Sequence, residues 1–333
     1  MPEDLSEPIL VVGGYGYRNV GDEAILAGLL EQIGRDRSVS VVSRMPAETA
    51  AMHGVRAISP RQAVLGIRGY RSVIIGGGGL FGRDMGAIGR LLPLYGLLAS
   101  RLGLEVAIHG VGVDRNMRPV AARLLWRLAD RAVAFTVRDR RSAEVLAEWG
   151  IAADVVPDLS SAVRPAPASV GREHLRQAGI DPDRPVVGLA LTGMREYQAA
   201  ALERAVAQSM AELPDVQFCF IPMSQHPFVH AHNDLLLGRS LQLQNPRLAV
   251  LEGNLNPADV LAVFGGLSAA VCMRYHSLLF ADRMGTSIIP LPYAPKCEAW
   301  IAERGLRPVL LAPATLASAL RGTVGVGRKM HVA

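Results

Sequence analysis

Short runs of Val, Ile and Leu alternate along the chain with longer stretches in which apolar residues recur every three to four positions. This is the pattern of parallel strands covered by helices. In the first half, the segments Pro8 to Val12, Val39 to Ser43, Ser72 to Ile75, Glu105 to His109 and Ala132 to Val137 are predicted strands. A second series follows at Val186 to Leu191, Val216 to Ile221, Leu248 to Leu251, Ala269 to Met273 and Ser287 to Leu291. Between the two series the apolar periodicity lapses from Ser161 to Arg172, where Pro, Ala and Ser dominate, and a linker is expected there. The expectation is an α/β protein with two Rossmann-like parallel-sheet domains facing across a cleft, residues 1–165 and 166–333. Ligands of open α/β sheets sit beyond the carboxyl ends of the strands, so the residues that end each strand are the ones to search.

A length of 333 residues suits two domains of ordinary size. Cys219, Cys272 and Cys297 are too few and too scattered for a disulfide framework or a thiolate metal site, which fits a reducing, cytoplasmic setting. The stretch from Met1 to Pro8 carries three acids and no base ahead of a short apolar run, the wrong order for a secretory signal. Arg101 interrupts the longest apolar stretch, Leu91 to Leu104, so no membrane-spanning helix is expected. The net charge of +5 comes almost entirely from arginine. With those arginines dispersed and only 5% aromatic residues, the balance suits an anionic small ligand better than nucleic acid.

Several strand ends carry candidate chemistry. After the first strand, Gly13-Gly14-Tyr15-Gly16 leads to Arg18, Asn19, Gly21, Asp22 and Glu23 at the start of a helix, where backbone N–H groups and the helix dipole favour an anion. The dinucleotide fingerprint fails because Asn19 stands where its third glycine would be, and Asp22 and Glu23 have a plain alternative as dipole complements. Gly76 to Gly79 form a costly run, best explained by close approach of a ligand or of the facing domain at Gly77 and Gly78. His109 precedes a similar Gly-Val-Gly and has an equal reading as a core histidine. Arg138 follows a strand and opens toward a helix, a fork suited to phosphate, whereas Asp139 reads as an N-cap and Arg140 or Arg141 as solvated.

The densest of these ends is Met273-Arg274-Tyr275-His276-Ser277. Arg274 and His276 lie two apart, so an extended backbone would point both one way, a permanent cation beside a group that titrates near neutrality. Lys296 follows the next strand as a second cation. His226, His230 and His232 cluster, but Pro227 breaks the helix that their spacing would need, so no metal site and no resident cofactor are expected. Arg118 to Arg131 reads as an arginine-rich helix with a Leu/Trp face, better explained by packing on a sheet than by a membrane surface.

Taken together these segments resemble the polysaccharide pyruvyl transferase family. The resemblance rests on G-Y-G-x-x-N-x-G-D-E-A-I-L from Gly14 to Leu26, the glycine run, R-D-x-x-S from Arg138, V-P-D from Val156, M-R-x-H from Met273 and Y-x-P-K from Tyr293. Ala294 stands where an aspartate is frequent in the family, and Gly110 to Arg115 read GVGVDR where a G-x-G-x-P form is common. It implies a GT-B-like enzyme that moves an enolpyruvyl unit from phosphoenolpyruvate, as co-substrate, to a sugar of a cell-envelope or exopolysaccharide precursor as a ketal. Its R-x-H motif falls on Arg274 and His276 for donor binding and catalysis, with Lys296, Arg138 and Ser277 beside the donor. The first domain would then serve the acceptor through Asp22, Glu23, Asn19 and the glycines Gly14, Gly21, Gly77 and Gly78, and the second the donor. A lipid-linked acceptor, peripheral contact with the inner membrane and a homo-oligomer stay open at this point, as do two alternatives: a nucleotide-sugar glycosyltransferase and a non-catalytic envelope-assembly protein.

Overall fold

A computed structural model of the chain describes residues 5–82, 88–193 and 199–327. They fall into two compact units. The first ends at Val163 and omits Arg18–Gly21; the second takes Arg18–Gly21 and begins again at Arg164.

The strands of the first unit are β1 (Ile9–Val12), β2 (Val39–Val42), β3 (Arg56–Ile58), β4 (Ser72–Phe81), β5 (Glu105–Val113), β6 (Ala134–Val137) and β7 (Asp154–Val155). They pair in parallel in the order β3-β2-β1-β4-β5-β6-β7. The helices are α1 (Val20–Ile33), α2 (Pro46–His53), α3 (Pro60–Leu65), α4 (Ile88–Arg101), α5 (Pro119–Ala129) and α6 (Arg140–Glu148). β1 is apolar at every position because helices cover both of its faces. Ile9 and Val11 pack with Ile25, Leu26 and Leu29 of α1, whereas Leu10 and Val12 join a core with Leu92 of α4 and Leu125 and Leu128 of α5. Burying one such Leu or Ile contributes about 1.5–3 kcal/mol.

The second unit holds β8 (Val186–Ala190), β9 (Gln217–Phe220), β10 (Leu248–Val250), β11 (Ala269–Cys272) and β12 (Ser287–Pro290), all parallel in the order β10-β9-β8-β11-β12. Its helices are α7 (Ala168–Gln177), α8 (Ala199–Glu212), α9 (Asp234–Gln244), α10 (Pro257–Gly265), α11 (Tyr275–Arg283), α12 (Pro295–Glu303) and α13 (Pro313–Gly327). Its core joins Val187, Leu189 and Phe218 of the sheet to Leu202 and Val206 of α8 and Leu316 and Leu320 of α13.

The fold is thus α/β with two Rossmann-like parallel sheets, as expected, but three local expectations change. The linker is shorter than Ser161 to Arg172, because α7 already begins at Ala168. A Cβ on its Gly171 would stand 2.3 Å from the backbone of Ala262, so α7 is pinned to α10. β4 and β5 run on through their glycines, to Phe81 and Val113, because each pairs with the other along that length. And α11 starts at Tyr275, so Arg274 and His276 are not two alternate positions of one extended segment. Among the described residues, no helix is long and apolar enough to cross a membrane.

Candidate functional site

Each sheet has a topological switch point, a pair of neighbouring strands from which the chain order runs outward in both directions. In the second unit this is the pair β8 and β11. Thr192 lies just beyond β8 and Arg274 just beyond β11, where Arg274 is the N-cap of α11. The Arg274 guanidinium donates through Nε to Asp234 Oδ2 at 2.6 Å and through Nη2 to Oδ1 at 2.7 Å, and Nη2 also donates to Thr192 Oγ1 at 3.1 Å. Asp234 opens α9, and its side chain is fully buried. Its Oδ2 further accepts the Ser224 N–H at 3.0 Å. Burial pushes the Asp234 carboxyl up from the usual carboxylate range, while Arg274, Thr192 and the Ser224 amide pull it back down. The guanidinium that the R-x-H resemblance assigns to donor binding therefore holds a buried aspartate.

His276 sits in the first turn of α11, half-buried, with its ring edge-on to Tyr275 at 5.5 Å and to Phe280 at 6.5 Å between centroids. Gly21 lies directly against it. A Cβ on Gly21 would stand 2.0 Å from His276 Nδ1, so no larger residue fits while the imidazole keeps this position. Gly21 belongs to a short segment built into the second unit by its backbone. The Val20 N–H donates to the Met223 carbonyl at 3.0 Å, the Gln225 N–H to the Arg18 carbonyl at 2.9 Å, and Asn19 bridges Ser224. Asn19 Oδ1 accepts the Gly21 N–H at 3.0 Å and so caps the helix start. Ser224 links this segment to Asp234, and Asp234 to Arg274. Lys296, in the first turn of α12, places Nζ 5.9 Å from the centroid of the Tyr275 ring. Ser277 is fully buried and donates its hydroxyl to the Arg274 carbonyl at 2.6 Å, a local bond that closes the first turn of α11.

In the first unit the switch point is the pair β1 and β4, with glycines directly after β1 and within β4 alongside them. The expected close neighbour of the glycine run proves to be α1. Gly77 has φ +60°, and its Cβ would stand 1.8 Å from Ile25 Cγ2; at Gly76 the corresponding distance is 2.6 Å, to Leu29 Cδ2. Packing of the helix on the sheet thus accounts for these two positions. Further along, Asp22 points its carboxylate over the strand ends, with Oδ1 3.4 Å from a Cβ position on Gly78 and Oδ2 4.0 Å from one on Gly14. Glu23 turns inward: Oε1 accepts the Gly16 N–H at 3.0 Å and Oε2 lies 2.8 Å from His53 Nε2, both side chains buried. Arg138 is buried against Asp158, Nη1 to Oδ2 at 3.2 Å, and Asp139 caps α6 by accepting the Ser142 N–H at 2.7 Å. His109 lies between Gln32 Oε1 at 3.0 Å and Thr136 Oγ1 at 2.9 Å, and burial pushes it down to about 4, so it is a neutral core histidine at pH 7.

The residues singled out in the sequence therefore gather in two sets. Asn19, Gly21, Arg274, His276, Ser277 and Lys296 meet in the second unit; Gly14, Gly78 and Asp22 meet in the first. Glu23, Arg138 and Gly77 hold the frame of the first unit. Sequence reasoning missed Asp234, Thr192 and Ser224. The pair Asn233-Asp234 ahead of three leucines signals only a capped helix, and nothing in it points to an arginine 40 residues away.

A family model described as polysaccharide pyruvyl transferase matches residues 19–295. A search of curated protein sequences gave no match. Among solved structures, MnaA of S. aureus in complex with UDP aligns with a TM-score of 0.64 at 10% identity, covering 97% of this chain and 89% of that one. The UDP-GlcNAc 2-epimerase of Neisseria meningitidis bound to UDP-GlcNAc aligns with a TM-score of 0.60 at 14% identity, over 97% and 93%. The E. coli ADP-heptose LPS heptosyltransferase II gives 0.53 at 12% identity, over 96% and 99%. At these identities the likeness concerns the fold, which is GT-B-like.

Proposed function

The chain belongs to the polysaccharide pyruvyl transferase family, and on that premise we propose that it transfers the enolpyruvyl unit of phosphoenolpyruvate to two hydroxyls of an envelope or exopolysaccharide precursor sugar in the cytoplasm. The observation that carries this reading is the position of Arg274 and His276 at the carboxyl end of β11, on the switch point of the second sheet, with Lys296 one strand away.

The residues divide the work. Lys296 and the backbone N–H groups opening α11 offset the charge of the donor phosphate and carboxylate. Arg274 acts as a positioning residue: bound to Asp234 and Thr192, it fixes the strand end from which α11 starts. His276 delivers a proton to the methylene carbon of the donor, and a sugar hydroxyl bonds to C2 and returns its proton to His276. The second hydroxyl then forms the other C–O bond at C2 as the C2–O bond to phosphate breaks, and its proton leaves with inorganic phosphate. One diol proton ends in the new methyl group and one in the phosphate, so the ketal forms without a redox partner. Asp22, over Gly14 and Gly78 of the first unit, is the carboxylate we assign to the acceptor hydroxyls. The scheme calls on no resident cofactor.

A nucleotide-sugar reading is favoured by one observation, the UDP and UDP-sugar named with the structural relatives. The two readings part in one assay. Candidate lipid-linked or nucleotide-linked sugars are incubated with the protein and phosphoenolpyruvate, and followed by mass spectrometry and phosphate release. The pyruvyl reading expects the mass of one pyruvyl ketal and one phosphate per turnover. It also expects His276→Ala to lower kcat by roughly 10²–10⁴ with donor binding retained. Glycosyl transfer from a nucleotide sugar, with phosphoenolpyruvate inert, would assign the site to the other chemistry.

A further inference from the structure

The outer faces of α4 and α5 are built unlike those of ordinary sheet-covering helices. Each already has a buried face: Leu92, Gly96 and Ala99 on α4, and Ala121, Leu125 and Leu128 on α5. The helices also touch, since a Cβ on Gly96 would stand 2.7 Å from Leu128 Cδ2. Packing on the sheet is therefore satisfied without their outward sides. Yet those sides carry Leu91, Leu94 and Leu98 on one stripe of α4, and Val120 and Trp126 on α5, between 40% and 59% exposed. The residues at 91, 94 and 98 lie within one narrow arc of a helix.

The polar residues between them have one sign. Arg90 and Arg101 flank the leucine stripe, while Arg118, Arg123 and Arg127 run along α5, and neither helix contains an Asp or Glu. Beside Arg90, a pocket of about 490 Å³ runs past Asn116, Met117, Arg118, Pro119 and Val120, at the start of α5. With no carboxylate on either helix, the arginines disfavour the commonest self-association, because a two-fold contact would lay this face on its own copy and set like charges together. Leucines and a tryptophan that can enter the headgroup boundary, with arginines to meet lipid phosphates, are the composition of an interfacial helix pair. We propose that the α4–α5 face docks on an anionic lipid bilayer.

The test is flotation of the full-length protein with vesicles of phosphatidylcholine alone or mixed with phosphatidylglycerol. The protein floats with the mixed vesicles and stays below with phosphatidylcholine, and added salt weakens the binding. Arg123→Glu with Arg127→Glu lowers the partition coefficient by about 25-fold or more, from about fivefold per cationic side chain near the surface. Leu94→Ser with Trp126→Ser lowers it by about tenfold through lost apolar burial. All four side chains are exposed, so unchanged melting temperatures are expected and confirm folded variants. The proposal is overturned if mixed vesicles are not bound, or if both variants bind as the parent does. It is equally overturned if sedimentation equilibrium shows a dimer that Leu94→Ser dissolves, which would give the face to a second copy.

Discussion

At the switch point of the first sheet, glycines follow β1 and run through β4, closed over by a helix; at that of the second the strand ends are Thr192 and Arg274 clamped by Asp234. The same topology thus yields two kinds of surface. In the first unit, missing side chains let α1 lie so close that Ile25 and Leu29 occupy the places Cβ atoms would take, leaving Asp22 as the carboxylate above Gly14 and Gly78. In the second, a charged network fixes the end of β11, and the first turns of α11 and α12 present His276 and Lys296 beside it. A strand end can be made precise by removing atoms or by pairing charges, and the two methods fail differently when disturbed.

The largest effect is expected where charge is paired out of water. Asp234→Asn keeps the shape but leaves the Arg274 guanidinium buried without its counter-ion, and removing one partner of such a pair costs about 3–5 kcal/mol. Chemical denaturation measures this loss. The corresponding change in the first unit, Asp22→Asn, touches a half-buried carboxylate and should move stability by less than about 1 kcal/mol. If the two substitutions cost the same, the contrast between the switch points is not electrostatic.

Next comes the steric counterpart. Gly77→Ala meets Ile25 at 1.8 Å and places a side chain at φ +60°. Overpacking and left-handed strain together cost about 2–4 kcal/mol. Gly54→Ala isolates the second part, since Gly54 has φ +63° but no atom within 4 Å of its Cβ position; it should cost about 1 kcal/mol. Equal losses at Gly77 and Gly54 would mean that the closeness of α1 contributes nothing.

These two cases show what a sequence discloses. The apolar strands were legible because those inside a sheet concentrate apolar residues between turns, Val, Ile, Leu and Phe in most and small Ala, Val and Cys in β11. β3 and β7 escaped because they are the outermost strands of their sheet, three and two residues long, with no apolar run to betray them. The glycine run was visible, but its cause was misassigned, since Ile25 and Leu29 read simply as core positions of a helix. Arg274 and His276 stood out as a pair next to a strand; Asp234 did not, because the partner of a buried arginine is chosen by folding and not by spacing. Asn19 and Gly21 were placed with the first domain by chain order, whereas the backbone bonds of their neighbours Val20 and Arg18 to Met223 and Gln225 put them beside His276.

The first unit also carries a pH signature in its core. His109 follows the same sheet inward, and burial pushes it down to about 4. Unfolded, the imidazole binds a proton near 6.5, so between about pH 6.5 and 4 the unfolded chain holds the proton that the folded chain refuses. Stability contributed by neutral His109 is therefore complete above that window and is lost as pH falls through it, by about 2–3 kcal/mol over its full width. His109→Gln, which keeps a hydrogen-bonding side chain without a titrating ring, should flatten this part of the stability profile. Thermal melts of both proteins across pH 4 to 6.5 check it; parallel curves would place the acid sensitivity elsewhere.

The smallest expected effect decides how the second switch point meets an anion. Arg274 is held by Asp234, so the proposed site meets the donor charge chiefly with Lys296, whose Nζ lies 5.9 Å from the centroid of the Tyr275 ring. Lys296→Gln should then raise the KM for phosphoenolpyruvate by about tenfold, roughly 1.4 kcal/mol, with kcat close to normal, because a fixed charge acts alike on bound substrate and transition state. Lys296→Arg should restore much of the affinity, and the parent's KM should climb with ionic strength more steeply than that of Lys296→Gln. Stability is a poor readout here, since the cation–ring contact is worth about 0.5–1 kcal/mol at a partly exposed site. An unchanged KM in Lys296→Gln would mean that the Arg274–Asp234 pair opens to receive the donor, and in that case Asp234→Asn, wherever it folds, should bind phosphoenolpyruvate more tightly than the parent.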